Sequence, residues 1–254
     1  MFESVKSHIT PMGHPRSTER RGRSGRLGGM SASRPEVVGR LVEWLTRIDL
    51  ARPVRVAVDG PDAAGKTTLA DELGEALGGR ALRISADDFH RPAEERLRRG
   101  PMSAEGYFMD AFDVPALRRE VLEPLGPQGD LQYRTTVWDH LTNTSRSDAR
   151  RTAARDAIVL VDGVFLLREE LRDCWDVRIF VEVREDEQMR RAVERDTEIF
   201  GTEERVRERY AVRYRPAHEL YWNSARPTEQ ADIVIDNTDP DSPVIRRWTG
   251  NRTG

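Results

Sequence analysis

The sequence predicts a three-layer α/β fold, in which a parallel sheet of five strands is flanked by helices on both faces. Short apolar segments alternate along the chain with charged segments that look helical, and this alternation is typical of parallel strands joined by crossover helices. A glycine-rich turn follows the first strand-like segment, and acidic residues end two others. At 254 residues, the chain is long enough for one large domain, or for one domain with an appendage.

Five segments are predicted to be strands because each is a short apolar run of the kind that a buried strand requires. In chain order they are 53–60, 81–89, 156–163, 175–183 and 231–237. Together they supply the five strands of the predicted sheet.

Helices are predicted between these strands. Apolar residues recur at helical spacing in 35–48, and a second helix is expected at 66–77, directly after the glycine-rich turn. Pro115, near its start, supports a helix at 113–126. The strongly charged segment 186–214 is also predicted to be helical.

The segment 1–33 is predicted to be a disordered tail. It is rich in arginine, serine and glycine, and it lacks both a helical period and the apolar core of a signal peptide. A transit peptide, a nucleic-acid-binding arm and a translation start at Met30 are the alternatives for this segment. The folded domain is expected at 34–254.

The composition excludes several classes of protein. Hydrophobic residues make up 37% of the chain and charged residues 33%, and the net charge of −3 gives no basic field for nucleic acid. The single cysteine, Cys174, allows no internal disulfide and suits a reducing compartment. No apolar run approaches the ~18 residues of a membrane helix. We expect a cytoplasmic protein that binds neither nucleic acid nor membrane, with a homo-oligomer left open.

The segment 60–67 matches G-x-x-x-x-G-K-[ST], a pattern that binds the phosphates of a nucleoside triphosphate. It lies between a predicted strand and a predicted helix, so backbone N–H groups and the helix N-terminus would face the phosphates. Lys66 is expected to reach the β- and γ-phosphates, and Lys6 is the only other lysine of this arginine-rich chain. The predicted nucleotide-binding residues are Gly60, Pro61, Asp62, Ala63, Ala64, Gly65, Lys66, Thr67 and Thr68.

A Mg²⁺ site is expected beside this segment. The hydroxyl of Thr67 would bind the ion, and Asp162, at the end of the apolar run IVLVD, would complete its shell from a neighbouring strand. An ordinary helix cap is the alternative role for Asp162.

A phosphate-binding turn alone does not distinguish a GTPase, an ATPase and a small-molecule kinase. The guanine-reading N-K-x-D motif is absent, and the further signature segments of a larger ATPase are not found. Asp87 and Asp88, after the second strand, suit a general base, with helix capping as the alternative. The arginine-rich segment 184–215 suits a lid that neutralises phosphoryl charge, with a solvated helix face as the alternative.

Several motifs together resemble the uridine kinase-like P-loop kinases, which are related to pantothenate kinase and phosphoribulokinase. The resemblance covers roughly 53–240. The segments that carry it are DGPDAAGKTTLADEL (59–73), SADDFHRP (85–92), DAFD (110–113), LVDGVFLL (160–167), RRAVERD (190–196) and RYAVRYRPAHELYWNSARPTEQADIVIDN (209–237). It implies a P-loop NTPase fold with a substrate-side insertion at about 90–150 and a lid at about 184–215.

The resemblance also implies roles for individual residues. The catalytic aspartate of the family falls on Asp87, and the lid arginines that clamp phosphate are expected to be Arg191 and Arg195. Tyr107 stands where uridine kinases carry an acid for the ribose hydroxyls, and Tyr133 and His140 echo, at wider spacing, a Tyr-x-x-x-x-His pair that contacts the base. The candidate acceptor contacts are Asp87, Tyr107, Asp110, Tyr133 and His140.

We therefore expect a kinase that uses ATP and Mg²⁺ to phosphorylate a hydroxyl group of a small molecule, with a uridine-like nucleoside as the first choice. Another small hydroxyl compound, such as pantothenate or a sugar, is the alternative acceptor. A non-catalytic nucleotide-binding regulator is the contrasting class, because it would bind ATP without releasing ADP in response to an acceptor.

A chain that begins at Met30 is expected to keep the melting temperature and the kinase rate of the full chain. The reason is that residues 1–29 contain too little apolar surface to pack against a core. Thermal unfolding and ADP release by the two chains measure this, and a clear drop in either quantity on truncation would contradict it.

Overall fold

The computed structural model describes residues 30–146 and 149–249. Most of the predicted tail therefore lies outside the described residues. Its last part does not, because Met30–Ser31 forms a short strand that pairs with the C-terminal strand. The predicted start of the folded domain at residue 34 is corrected to residue 30.

Eleven β-strands occur in the described part of the chain. They are β1 (Met30–Ser31), β2 (Val54–Asp59), β3 (Ala81–Ser85), β4 (Gln132–Tyr133), β5 (Trp138–Asp139), β6 (Thr144–Ser145), β7 (Arg151–Thr152), β8 (Ile158–Gly163), β9 (Val177–Glu182), β10 (Ile233–Asp236) and β11 (Val244–Trp248).

Eight α-helices accompany them within the described ranges. They are α1 (Arg34–Thr46), α2 (Lys66–Leu77), α3 (Ala93–Arg96), α4 (Val114–Leu117), α5 (Glu185–Phe200), α6 (Glu203–Arg209), α7 (Arg215–Ala225) and α8 (Pro227–Gln230). Short 3-10 helices lie at Gly78–Arg80, Ala86–Asp88 and Glu169–Cys174, and π-helical turns at Gly106–Asp110, Arg118–Leu122 and Tyr210–Tyr214. Among the described residues, no helix has the length and apolar character needed to cross a bilayer.

The main sheet has the strand order β1-β11-β10-β9-β2-β8-β3. Five of its members, from β10 to the edge strand β3, run parallel, and they are the five strands predicted from the sequence. The prediction missed β11 and β1, which add to one edge in antiparallel orientation. Residues 246–247 of β11 are exposed arginines, so this edge strand has no apolar run to reveal it.

Two hydrophobic cores, one on each face of the sheet, confirm the three-layer arrangement. Alternate residues of β2 point to opposite faces: Val56 joins the core beneath α1 and α2, and Ala57 joins the core on the other face. This second core is covered by the insertion and by α7, which contributes the buried Tyr221. Burial on both faces explains why the central strands are continuous apolar runs.

The two segments with the least regular sequence also have the least regular structure. The predicted helix at 113–126 is a single turn, α4, followed by a π-helical turn, and the polar stretch after it forms the two-stranded sheets β4–β7 and β5–β6. The predicted helical segment 186–214 is divided after Phe200, because Gly201 has a φ of 94° and ends α5. The segment predicted to be a lid thus consists of α5, α6 and a π-helical turn.

Asp176, in the loop before β9, anchors the beginning of β2. Its carboxylate accepts hydrogen bonds from Arg52 Nη1 and Nη2, both at 2.8 Å, and from Arg55 N at 2.9 Å and Arg55 Nε at 3.1 Å. Burial disfavours the ionised acid, but these bonds outweigh it and hold the pKa of Asp176 below its usual value. Because the glycine-rich turn follows the other end of β2, this cluster fixes the strand that carries it.

Replacing Asp176 with alanine is expected to lower the free energy of unfolding by about 3–5 kcal/mol, because Arg55 would remain buried without its anion. Urea denaturation at pH 7 measures this. The difference from wild type should shrink as the pH falls through the lowered pKa of Asp176, where protonation removes the same charge from the wild-type protein.

Asp186→Ala is the matched control, since Asp186 pairs with Arg184 at the exposed start of α5. Its denaturation midpoint should stay close to that of wild type. Equal losses in the two variants would show that Asp176 is no special anchor.

Candidate active site

The segment 60–67, called the P-loop below, curls tightly between β2 and α2. At Gly60, a Cβ atom would lie 2.3 Å from the carbonyl oxygen of Val181, so a side chain is excluded. Gly65 has a φ of 89°, and a Cβ there would lie 2.5 Å from Nδ2 of Asn237. Both glycines of the motif are therefore required by the fold.

Asn237, directly after β10, holds the P-loop in place. Its Nδ2 donates to the carbonyl oxygen of Ala64 at 2.8 Å, and its Oδ1 accepts from Arg34 Nη1 at 2.7 Å. The sequence analysis missed this residue. A polar side chain after the last strand of a parallel sheet was the available signal, because the carboxyl ends of such strands meet at one edge.

Lys66 opens α2 and is 9% exposed. Its Nζ donates to the carbonyl oxygen of Pro61 at 2.7 Å, across the P-loop. Burial lowers the pKa of Lys66, and the carboxylates of Asp62, Asp59, Asp87 and Asp162 act in the opposite direction. A cation held among four carboxylates at the edge of the sheet is well placed to receive the phosphates of a nucleotide.

Thr67 and Asp162 meet at the expected magnesium position. The Thr67 hydroxyl donates to Asp162 Oδ2 at 2.6 Å, and Arg83 Nη2 donates to Asp162 Oδ1 at 3.0 Å. The described residues contain no cluster of three or more His, Cys, Asp or Glu side chains for a metal. Mg²⁺ bound with a nucleotide needs few protein ligands, and these hard oxygen donors fit it. Among the described residues, no backbone N–H donates to the Asp162 carboxylate, as a helix cap would require.

Asp87 lies in the 3-10 turn after β3, with an exposed side chain. Its backbone is fixed, because Asp87 N donates to Ser85 Oγ at 3.3 Å and its carbonyl oxygen contacts His90 Nδ1 at 2.8 Å. Within the described residues, its carboxylate has no hydrogen bond or ion pair. The turn is capped by Ser85 and not by either acid. Asp87 therefore has the free, well-positioned carboxylate that a general base needs.

Asp88 has a different environment from its neighbour. Its carbonyl oxygen accepts from Val137 N at 3.0 Å and from Thr136 Oγ1 at 3.3 Å, which ties the insertion to the sheet. Burial and the charge of Asp87 both raise the pKa of Asp88. The two adjacent acids thus have distinct positions, with Asp87 open to solvent and Asp88 half-buried.

Asp62, the third residue of the P-loop, joins the loop to the insertion and to the lid. Tyr107 OH donates to Asp62 Oδ1 at 3.0 Å, and His218 Nε2 lies 2.8 Å from Oδ2. Gln188 Nε2 donates to the Asp62 carbonyl oxygen at 2.7 Å. Burial opposes ionisation of Asp62, but the bond to His218 and the charges of Lys66 and Arg195 outweigh it and lower its pKa. The sequence analysis did not predict His218 or Gln188.

The predicted acceptor contacts occupy three different environments. His140 packs against His90 at 4.6 Å between ring centroids, and His90 packs against Phe112 at 4.4 Å, so these rings lie beside Asp87. Asp110 is 4% exposed, and Arg98 and Arg99 occupy both of its oxygens.

Tyr133 is buried in the core at 5% exposure. No hydrogen bond or ring contact in the described chain joins it to Asp87 or His140. The structure therefore brings Tyr107 and His140 to the site, places Asp110 in an internal ion pair, and leaves the role of Tyr133 a prediction without a supporting contact.

The two lid arginines lie over the P-loop. Arg191 Nη2 donates to the carbonyl oxygens of Asn237 and Thr238 at 2.9 and 3.0 Å. Arg195 binds Asp196 through Nε at 2.6 Å, and this bond is the main cause of its raised pKa. A cavity of about 470 Å³ separates the lid from the loop. It is lined by Ala63, Gly65, Lys66, Thr67, Thr68, Arg191, Glu194 and Arg195.

Comparison with known proteins identifies the family. The model of the phosphoribulokinase/uridine kinase family matches residues 55–241. A uridine kinase from Geobacillus kaustophilus is 28% identical over 196 residues, covering 72% of this chain and 86% of that protein.

Two solved structures share the fold. The structure of a "possible uridine kinase" from Bacillus stearothermophilus matches with a TM-score of 0.62 at 22% identity, over 79% of this chain and 97% of its own. A D-glycerate 3-kinase from Cryptococcus neoformans var. grubii matches with a TM-score of 0.52 at 15% identity, over 80% of this chain and 95% of its own. Because the family model matches most of the sequence, this chain belongs to the phosphoribulokinase/uridine kinase family of P-loop kinases.

Proposed function

We propose that the protein is an ATP-dependent kinase that transfers the γ-phosphoryl group to a hydroxyl group of a small molecule. The relatives named uridine kinase make a nucleoside the first acceptor to test. Family membership supports phosphoryl transfer in general, and the arrangement of side chains around the P-loop supports the division of roles given below.

The observation that carries this proposal is the unpaired carboxylate of Asp87 close to Lys66. The negative charge of Asp87 acts on Lys66, so the proposed base lies beside the residue that would hold the transferred phosphoryl group. A carboxylate without a partner is free to accept the proton of an acceptor hydroxyl as its oxygen attacks phosphorus. A regulator that only binds a nucleotide has no need of such a base.

The remaining charges suit the binding and neutralisation of phosphate. Lys66 would contact the β- and γ-phosphates, as P-loop lysines do. Mg²⁺, if bound, would be held by Thr67 Oγ1 with Asp162 behind it, and would supply positive charge to the phosphates. Arg191 and Arg195 line the same cavity from the lid, where they could exclude water and neutralise the transferring group.

A specific observation favours a second class of acceptor. Tyr107 stands where the resemblance to uridine kinases leads us to expect an acid for the ribose hydroxyls, and its hydroxyl is already committed to Asp62. The charged ligand that a ribose requires is thus missing from this position. A different hydroxyl compound, such as pantothenate or a sugar, is therefore the second candidate acceptor.

An ADP-release screen against nucleosides, pantothenate and sugars, with ATP and Mg²⁺, tests the proposal. We expect one class to stimulate ADP release, and Asp87→Asn to reduce that stimulated rate by about 10²–10⁴-fold, because the amide cannot accept the proton. ATP affinity should change little.

Asp88→Asn is the matched control, and it should be far milder because the contacts of Asp88 to the insertion are made by its backbone. A larger loss of rate in Asp88→Asn than in Asp87→Asn would assign the base to Asp88. If no class of acceptor stimulates ADP release, a nucleotide-binding regulator becomes the better hypothesis.

Lys66→Ala is expected to lower turnover by about 10²–10³-fold, because it removes a donor aimed at the transferred group. Lys66→Arg should also fail, since a planar guanidinium is not interchangeable with the compact ammonium that contacts the carbonyl oxygen of Pro61 across the P-loop. Steady-state kinetics and nucleotide titration of both variants measure this. An active arginine variant would refute the role assigned to the retained lysine.

A further inference from the structure

Three arginines between the insertion and the lid have no ion pair with any described residue. They are Arg96 at the end of α3, Arg209 at the end of α6 and Arg213 in the π-helical turn before α7, and we call them the arginine cluster. Neighbouring arginines behave differently: Arg98 and Arg99 are both paired with Asp110. The cluster therefore gathers positive charge that the described chain does not neutralise.

Arg213 is the most buried member, at 5% exposure. Its Nη1 donates to the carbonyl oxygen of Pro101, its guanidinium lies 5.1 Å from the ring centroid of Tyr107, and its Nε is buried without a partner. Burial lowers the pKa of Arg213, and the charges of the other two members act in the same direction. Arg213 and Arg209 lie against the same ring, with their guanidinium groups 6.0 and 5.9 Å from the ring centroid of Tyr214. A buried guanidinium without an anion is a costly arrangement for a protein to keep.

The other two arginines are held by neutral groups. Arg209 Nε donates to Tyr214 OH at 3.1 Å, and its guanidinium lies 4.6 Å from the ring centroid of Phe200. Arg96 Nη2 donates to the carbonyl oxygen of His140 at 3.1 Å, and its Nε is buried without a partner. These contacts orient the guanidinium groups but supply no negative charge.

The two tyrosines beside the cluster cannot supply the missing charge either. Burial is the main cause that raises the pKa of both Tyr107 and Tyr214, so both hydroxyls remain protonated at neutral pH. The hydroxyl of Tyr214 accepts from Arg209, and within the described ranges its own O–H donates to no residue. It is thus a further donor for an incoming oxyanion.

We propose that the arginine cluster binds an anionic group of the acceptor, a carboxylate or a phosphate, so that the acceptor is an acidic or phosphorylated hydroxyl compound. This inference rests on the proposed kinase function and narrows its substrate class. Planar guanidinium forks match the two oxygens of a carboxylate or phosphate, and a buried cluster binds them more strongly than surface arginines would.

The position of the cluster assigns it to the acceptor and not to ATP. Arg96 Nη2 donates to the carbonyl oxygen of His140, whose ring centroid lies 4.6 Å from that of His90. His90 Nδ1 in turn lies 2.8 Å from the carbonyl oxygen of Asp87. The cluster therefore adjoins the proposed base. The nucleotide side has its own cations, because Lys66, Arg191 and Arg195 line the cavity over the P-loop and no member of the cluster does.

The first test compares matched acceptors that differ only in the anionic group: pantothenate with pantothenol, and ribulose 5-phosphate with ribulose. We expect the anionic member of one pair to be the better substrate. Arg213→Gln should then lower the kcat/KM for that anionic acceptor by about 30-fold or more, which is the usual effect of breaking a buried charge pair. The KM for ATP should stay unchanged. Arg155→Gln is the control, since it removes an exposed arginine that has no ion pair in the described chain.

The second test does not depend on turnover. With a non-hydrolysable ATP analogue filling the P-loop, inorganic phosphate or malonate should raise the melting temperature of wild type and of Arg155→Gln, but not of Arg213→Gln. If this shift is found but no acceptor stimulates the release of ADP from ATP, the kinase function is refuted and the anion site still stands. Equal shifts in all three proteins, a preference for the neutral acceptors, or a rise in the KM for ATP in Arg213→Gln would overturn the inference.

Discussion

The carboxylate of Asp62 is the contact on which the arrangement of the functional parts depends. It belongs to the P-loop, yet it binds Tyr107 of the insertion and His218 of α7, while its backbone binds Gln188 of α5. Burial alone would favour the neutral acid, but the surrounding donors and cations keep it ionised. The carboxylate and the backbone of one residue in this turn therefore connect it to the insertion, to α7 and to α5.

The site separates charge in a way that suits transfer between two substrates. On the nucleotide side, a single lysine lies among carboxylates, with Asp162 and Thr67 close by. On the proposed acceptor side, the arginine cluster lies among aromatic rings, and no carboxylate of the described residues forms an ion pair with it. Asp87 lies between the two regions, and its carboxylate is unpaired in the described chain.

Sequence reasoning succeeded where function is encoded within a short segment. The P-loop, the five parallel strands and the position of Asp162 are each set by a local pattern, so the sequence was sufficient to predict them. Asn237, His218 and β11 were missed because each acquires its role only through a partner far away in the chain. Asp110 shows the limit of a local motif: the motif suggested an acceptor contact, which stays a prediction, and did not indicate that Arg98 and Arg99 bind the carboxylate.

The two sides of the proposed site are held in place by different parts of the fold. The phosphate-binding residues lie at the ends of buried parallel strands, where a change would disturb the core. The acceptor side is held differently: Asp110 binds Arg98 and Arg99, and Glu120 binds Arg119 and Arg150, so ion pairs within the insertion maintain its shape. Side chains that face the acceptor can therefore vary while the transfer machinery stays intact, as expected when one fold serves several substrates. Tyr107 and the arginine cluster lie on this side of the proposed site.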